Sequence, residues 1–188
     1  MRRLIATALS TLLLVACAHV APPRPAVDLP VLRLAPSALG HEVSLQQQLQ
    51  FRFGAHERAM DALLEVDATE VRLVVQALGQ TGVRLSWDGQ VLQQQRAAWL
   101  PPAVRAERVL DDLQFVLWPA DAIRQVLPAG WTLQEEGPRR RLVHAGTPWL
   151  AVTRMDGQHV QLANHAEGYV LDIHSATSET VPADGVQP

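Results

Sequence analysis

The residues from Val43 to Phe53 alternate between apolar and polar side chains, and this alternation restricts the possible fold more than any other feature of the chain. Successive side chains of a β-strand point to opposite faces of its sheet, so the pattern predicts a strand with one buried face. Gln47 alone interrupts the apolar face. The same two-residue period predicts three further strands at 60–66, 71–77 and 83–87.

Turn residues separate these predicted strands. Gly79-Gln80-Thr81-Gly82 is a polar, glycine-bounded stretch that predicts a hairpin connection between the third and fourth strands. Asp88-Gly89 predicts a turn that requires positive φ, and Asp156-Gly157 predicts another tight turn. Less regular patterns predict the remaining strands, at 91–95, 131–135, 140–144, 149–155, 160–164 and 169–173.

Between the two groups of strands the apolar period changes to that of a helix. Pro101-Pro102 precedes this region, where a missing N–H has little consequence. Pro119 ends the first predicted helix, and a second is predicted at 121–127. The first helix has an apolar stripe, made of Ala106, Val109, Leu110, Leu113, Val116 and Leu117, and a charged side, made of Arg105, Glu107, Arg108, Asp111 and Asp112. Strands joined by local hairpins around two helices predict a mainly β (α+β) fold with an antiparallel sheet.

The first residues have the pattern of a lipoprotein signal. Arg2 and Arg3 precede an apolar run that ends in Ala16-Cys17, which predicts a signal peptide at 1–16 and lipidation of Cys17. A signal cleaved elsewhere, an uncleaved anchor helix and a buried core cysteine are the alternatives. The run is short for a membrane span, which needs about 20 apolar residues. Ala18, rather than aspartate, follows Cys17, and this favours the outer membrane over retention in the inner membrane.

Composition along the rest of the chain predicts its domain organisation. Four prolines between residues 18 and 30 predict a stiff tether at 17–30. The polar stretch 175–188 predicts a disordered tail. One β domain is therefore expected at 31–174.

Charge and motif content exclude several classes of function. The formal net charge is −3 and the basic residues are scattered arginines, which argues against nucleic-acid binding. The chain has no zinc motif, no Gly-x-Ser-x-Gly elbow and no phosphate-binding glycine loop, so no metal, cofactor or catalytic site is predicted. Asp111 and Asp112 point about 100° apart on a helix, so we expect a solvated helix face rather than a catalytic pair. Arg139-Arg140-Arg141 predicts a turn entering a strand, with an anionic headgroup contact as the alternative.

Ten strands and two helices pose a burial problem. An antiparallel sheet has one apolar face, and a curled sheet would line a concave cavity with it. Two helices do not fill such a cavity, and the remaining dry space suits a hydrocarbon ligand. The alternative is a core closed by its own side chains. The tryptophans are expected in core packing, with cavity lining as the alternative; they are Trp87, Trp99, Trp118, Trp131 and Trp149.

The residues from Glu70 to Pro128 resemble the LolB family of outer-membrane lipoprotein receptors. The similarity lies in residues 70–79, in residues 83–89 and in a helix that ends near Leu117-Trp118-Pro119. The chain resembles more closely a bacterial outer-membrane lipoprotein family, a domain of unknown function. The shared features are Leu39-Gly40, residues 63–67, Trp87-Asp88-Gly89, Asp112-Leu113-Gln114 and residues 168–173. Members of that family tend to be encoded beside fatty-acid-synthase-like or aryl-polyene enzymes, a LolA-like carrier and a large exporter.

The resemblance implies a LolA/LolB-like antiparallel half-barrel with helices plugging the concave face. It also implies a lipid-anchored protein on the periplasmic face of the outer membrane that binds or relays an acyl, polyene or lipidated ligand without catalysis. A LolA-like carrier or an exporter would be its partner. LolB has an exposed apolar loop tip between the two strands quoted, whereas Gly79 to Gly82 is polar, and this favours handling of one particular lipid.

Two other classes of function stay open at this point: a scaffold lipoprotein that docks a carrier or exporter, and a lipid-directed hydrolase. For the ligand-binding function, the expected cavity-lining residues are Phe51, Phe53, Leu64, Leu73, Val75, Leu85, Trp87, Leu110, Leu113 and Leu117.

Overall fold

The computed structural model describes residues 27–100 and 104–177. Within these residues, ten strands form one antiparallel sheet. The strands are β1 (Val43–Phe53), β2 (His56–Val66), β3 (Val71–Ala77), β4 (Gln80–Trp87), β5 (Leu92–Arg96), β6 (Trp131–Glu136), β7 (Arg139–His144), β8 (Thr147–Arg154), β9 (His159–Asn164) and β10 (Tyr169–Thr177). Between β5 and β6 lie α1 (Ala106–Leu117) and α2 (Ala120–Val126), and a short 3₁₀ helix (Pro36–Leu39) precedes β1.

The sheet consists of two meanders joined at their first and last strands. Its strand order is β5-β4-β3-β2-β1-β10-β9-β8-β7-β6, so β5 and β6 form its two edges. Phe53 pairs with His56 on one side and with Tyr169 on the other. The turns β1–β2, β3–β4, β7–β8 and β9–β10 therefore lie at the same end of the sheet, which we call the turn end.

Each predicted strand is present, and β1 and β3 have the predicted bounds. The burial of β3 follows the alternation of its sequence, because Val71, Leu73, Val75 and Ala77 are buried while Arg72 is exposed. In β2 the inner face changes along the strand: Ala62, Leu64 and Val66 are buried, whereas His56 and Arg58 near the turn end are exposed.

The predicted connection from Gly79 to Gly82 is wrong in position and in character. Ala77 pairs directly with Gln80, so the turn consists of Leu78 and Gly79, and Gln80 to Gly82 belong to β4. Both turn residues have positive φ, 52° for Leu78 and 73° for Gly79, which is the requirement of a two-residue hairpin turn. Leu78 is 94% exposed, so the tip of this hairpin is apolar rather than polar.

The predicted LolA/LolB-like half-barrel with helices plugging the concave face is wrong. The described residues form a single ten-stranded sheet, and their two α-helices have only 12 and 7 residues. A 12-residue helix is about 18 Å long, whereas ten strands spaced about 4.8 Å apart extend across about 43 Å. Helices of this size cover part of one face and cannot fill it.

Helix α1 is buried on two sides, which the sequence analysis missed. Residues 29–35, the N-terminal segment, pack against the side of α1 that carries Asp111 and Gln114. Gln114 donates to the carbonyl of Leu34 at 2.8 Å and accepts from the Leu34 amide at 3.0 Å. The Leu32 amide donates to Asp111 at 3.1 Å. Leu29, which the sequence assigns to the tether, packs against the hydrophobic core, and Pro30 is buried.

The prediction of a solvated helix face at Asp111 and Asp112 is wrong, because the N-terminal segment bonds to Asp111 and Tyr169 of β10 bonds to Asp112. These two residues are 3% and 7% exposed, and Arg108 is 7% exposed. The sequence pattern separates an apolar side of α1 from a charged side. It contains no signal that residues distant in the chain cover the charged side.

Two arginines cap the C-terminal end of α1. Pro119 has no N–H to donate to the carbonyl of Phe115, four residues earlier. Arg140 donates to that carbonyl and to the carbonyl of Trp118, both at 2.8 Å. Arg154 donates to the carbonyl of Val116 at 3.0 Å. Arg139-Arg140-Arg141 therefore lies inside β7. Arg140 connects α1 to β7 through these hydrogen bonds.

No helix within the described residues combines the length and the hydropathy that crossing a membrane would require.

Candidate functional site

A cavity of 470 Å³ lies between α1 and the apolar face of the sheet. Its volume falls within the range of about 300–1,000 Å³ that is usual for small-molecule sites. The walls come from β1 to β4, β9, β10, α1 and the loop that carries Trp99 and Leu100.

The two-residue period of the strands supplies most of the apolar wall. Leu49 lies between Met60 of β2 and Ile173 of β10, its direct partners on the neighbouring strands. Phe51 lies beside Leu171 in the same way. Opposite the sheet, α1 presents side chains spaced three and four residues apart, which share one face of a helix; these are Val109, Leu113, Val116 and Leu117.

The ten predicted lining residues divide into two groups. Those that border the cavity are Phe51, Phe53, Leu73, Val75, Leu113 and Leu117. Those that do not border it are Leu64, Leu85, Trp87 and Leu110, which are at most 5% exposed and belong to the adjoining core. Trp87 illustrates the reason, because its indole N–H donates to the carbonyl of Leu34 at 2.7 Å. The N-terminal segment closes this part of the space.

Several lining residues were not predicted. Met60 and Ala62 belong to the alternating pattern of β2 and could have been chosen from it. His56 and Arg58 lie on the same face, four and two residues before Met60, and continuing the alternation would have found them. Tyr169, Leu171 and Ile173 line the cavity because β10 pairs with β1, and no local pattern reveals that pairing.

The cavity opens at the turn end of the sheet. Phe53 is 41% exposed and Trp99 is 40% exposed, although both line the cavity. Arg58 and Arg105 are exposed lining residues. Deeper in the cavity, Ala62 is 3% exposed and Leu162 is fully buried. The cavity thus has an apolar floor and a mouth with basic side chains.

A buried polar cluster interrupts the apolar wall. Arg108 lies 3.1 Å from Asp112 and 3.7 Å from Asp111. The hydroxyl of Tyr169 donates to Asp112, and Asn164 donates to that hydroxyl at 3.0 Å. The cluster connects α1 to the β9–β10 turn, while the bond from Leu32 to Asp111 extends it to the N-terminal segment.

Burial raises the pKa of Asp112 to about 7, against the opposing effects of Arg108 and of the Tyr169 hydrogen bond. Burial also raises the pKa of Asp111, and the charge of Arg108 again opposes the shift. The pKa of Tyr169 is raised by burial and by the neighbouring Asp112 carboxylate. The tyrosine therefore stays a hydrogen-bond donor at neutral pH.

Of the five tryptophans considered in the sequence analysis, only Trp99 borders the cavity. Trp87, Trp118 and Trp149 are buried, Trp131 stacks on His144 at 4.8 Å, and Trp99 lines the cavity. In the described part of the chain, no group of three or more His, Cys, Asp or Glu side chains could hold a metal ion. Cys17 lies outside the described residues.

Comparison with known proteins gives one family. The family described as "Protein of unknown function (DUF3261)" matches residues 44–177, from the second residue of β1 to the last residue of β10. No curated protein matches the chain.

Proposed function

Since the chain belongs to the DUF3261 family, whose description assigns no activity, we propose a function from its cavity: non-catalytic binding or relay of a hydrophobic ligand that carries an acyl, polyene or lipid chain. The observation that carries this proposal is the 470 Å³ cavity lined by apolar side chains of six neighbouring strands and α1. Its mouth is open at the turn end, so a chain can enter without unfolding the sheet.

The energetics of burial support a chain-like ligand. Each methylene moved from water into an apolar site contributes about 0.8 kcal/mol, so ten methylenes contribute about 8 kcal/mol. Association and ordering costs reduce this value. Because the cavity is already formed in the folded protein, the ordering cost on the protein side is reduced.

The composition of the walls supports binding without catalysis. Among the described lining residues there is no serine, threonine, cysteine or lysine to act as a nucleophile. In the polar cluster the charge of Arg108 is paired with Asp112, and the other oxygen of Asp112 accepts from the Tyr169 hydroxyl, while Arg108 Nε and Asp112 Oδ1 make no hydrogen bond within the described residues. This cluster connects α1 to the β9–β10 turn, so its role is structural.

The proposal includes a location. The sequence pattern at Cys17 supports a lipid anchor, and Ala18 supports the outer membrane, with the domain on its periplasmic face. A tethered binder near a membrane would exchange its ligand with the bilayer, a LolA-like carrier or an exporter.

Protein purified without detergent tests the central claim. Native mass spectrometry of the wild type should show a co-purified hydrophobic molecule, or added dodecan-1-ol should bind stoichiometrically. Leu113→Trp places an indole in the cavity from α1 and should weaken dodecanol binding by at least tenfold. Leu63→Trp is the matched control, because Leu63 lies on β2 with its side chain exposed; it should leave binding unchanged.

The measurement also separates the alternatives. A wild-type protein that carries no lipid and binds no dodecanol would refute the binding function, and a docking role for a carrier or exporter would take its place. Release of a chemically altered lipid on incubation would instead indicate a hydrolase.

A further inference from the structure

We propose that the ligand is an amphiphile with an anionic headgroup, and that Arg58 at the mouth of the cavity pairs with that headgroup while the hydrocarbon chain lies inside. This inference rests on the proposed function, because it assigns the chemical class of the molecule that the cavity accepts.

The position of Arg58 follows from the register of β1 and β2. Arg58 is directly opposite Phe51 and lies two residues from Met60, and all three side chains border the cavity. Arg58 is exposed, Met60 is half-buried and Ala62 is buried. This face of β2 therefore passes from charged and solvated at the mouth to apolar and dry inside, the profile of an amphiphile site.

The other charged groups around the cavity are already paired. Arg105 forms an ion pair with Glu167 at 2.7 Å, and Arg108 forms one with Asp112 at 3.1 Å. Both acids also border the cavity. Arg58 is the lining cation that has no ion pair within the described part of the chain.

The nearest acidic residues along β2 do not neutralise Arg58. Glu57 and Asp61 are odd-numbered, so they lie on the opposite face of the strand. A guanidinium forms two parallel hydrogen bonds with a carboxylate or a phosphate. At an exposed position it can do so without first losing a partner in the protein.

Two probes of equal chain length test the inference: dodecanoate, which is anionic, and dodecan-1-ol, which is neutral. Their affinities are measured on wild type, Arg58→Gln and Arg84→Gln by displacement of the uncharged dye Nile red. Arg84 is the matched control because it is an exposed arginine on the outer face of the sheet, opposite Val74. Arg58 and Arg84 are both exposed, so neither substitution removes a core contact, and circular dichroism verifies the fold.

We expect Arg58→Gln to weaken dodecanoate binding about tenfold, the effect of one charge-assisted hydrogen bond. Dodecanol binding should change less than twofold, and Arg84→Gln should change neither affinity. Added salt should weaken dodecanoate binding in the wild type more than in Arg58→Gln.

The outcomes distinguish this inference from the function on which it rests. If both probes bind the wild type and Arg58→Gln leaves the two affinities unchanged, the headgroup inference is wrong and the binding function stands. If neither probe binds the wild type, the binding function fails and the headgroup inference fails with it.

Discussion

Replacing Arg140 by methionine tests how much the hydrogen bonds between β7 and the C-terminal end of α1 stabilise the fold. Arg140 is 5% exposed and donates to the carbonyls of Phe115 and Trp118. Methionine retains an apolar stem of similar length and removes these donors. Because Pro119 has no N–H, the Phe115 carbonyl then has no helical donor.

The expected loss of stability follows from these contacts. A buried polar group left without a partner costs about 1–3 kcal/mol, so two carbonyls cost about 2–6 kcal/mol. Burial lowers the pKa of Arg140, which shows that the buried charge is itself disfavoured, and removing it offsets part of the loss. Arg140 also forms an ion pair with Glu135 at 2.9 Å. Glu135 keeps Arg124 at 3.6 Å and is partly exposed, so the loss of this ion pair contributes little. We expect a net loss of about 3 kcal/mol.

Urea denaturation followed by tryptophan fluorescence measures this loss, since Trp118 is fully buried at the end of α1. The midpoint should fall with an unchanged slope, and the Tm should fall by about 10 °C. Arg141→Met is the matched control, because the adjacent Arg141 pairs with the exposed Glu136 on the other face. That control should stay within about 0.5 kcal/mol of the wild type. A midpoint for Arg140→Met equal to that of Arg141→Met would refute the capping argument.

Two further predictions concern the contacts of α1. Burial raises the folded-state pKa of Asp112 to about 7, above that of an unfolded aspartate, so its protonated form stabilises the fold at low pH and this contribution is lost as the pH rises through 7. The free energy of unfolding should therefore fall between pH 5 and pH 8, and Asp112→Asn should flatten this slope; a variant with the wild-type slope would contradict the assignment. Gln114→Leu should cost about 1–3 kcal/mol because the Leu34 amide loses its acceptor. Hydrogen exchange should report rapid exchange of the Leu34 amide in this variant, and full protection would count against the role of Gln114.

The sequence could predict the elements far better than their arrangement. Alternation and helical spacing depend on neighbouring residues, and each predicted strand and both helices are present. Pairing of β1 with β10 depends on residues that are distant in the chain, so it leaves no local signal. The prediction that the helices plug the sheet failed for the same reason. The number of strands that join one sheet depends on pairing between distant residues.

The candidate site shows the same division. Phe51 and Leu73 could be assigned to the cavity wall because their strands alternate regularly. Leu64 and Trp87 satisfy the same rule and lie in the closed core. The difference is the N-terminal segment, which covers one part of the apolar face and leaves the turn end open. Asp111 shows the converse error, because a charged residue became buried once Leu32 supplied a hydrogen-bond donor.

The junction between β1 and β10 has a consequence for how the chain folds. Gln47 and Ser175 form a hydrogen bond across this junction although they are 128 residues apart in sequence. Contacts between such distant residues make folding slow, because a long loop must close before they form. Until β10 has been synthesised, one edge of β1 offers unpaired backbone groups to other chains. A nascent chain of this protein therefore has an exposed strand edge that can aggregate for most of its synthesis.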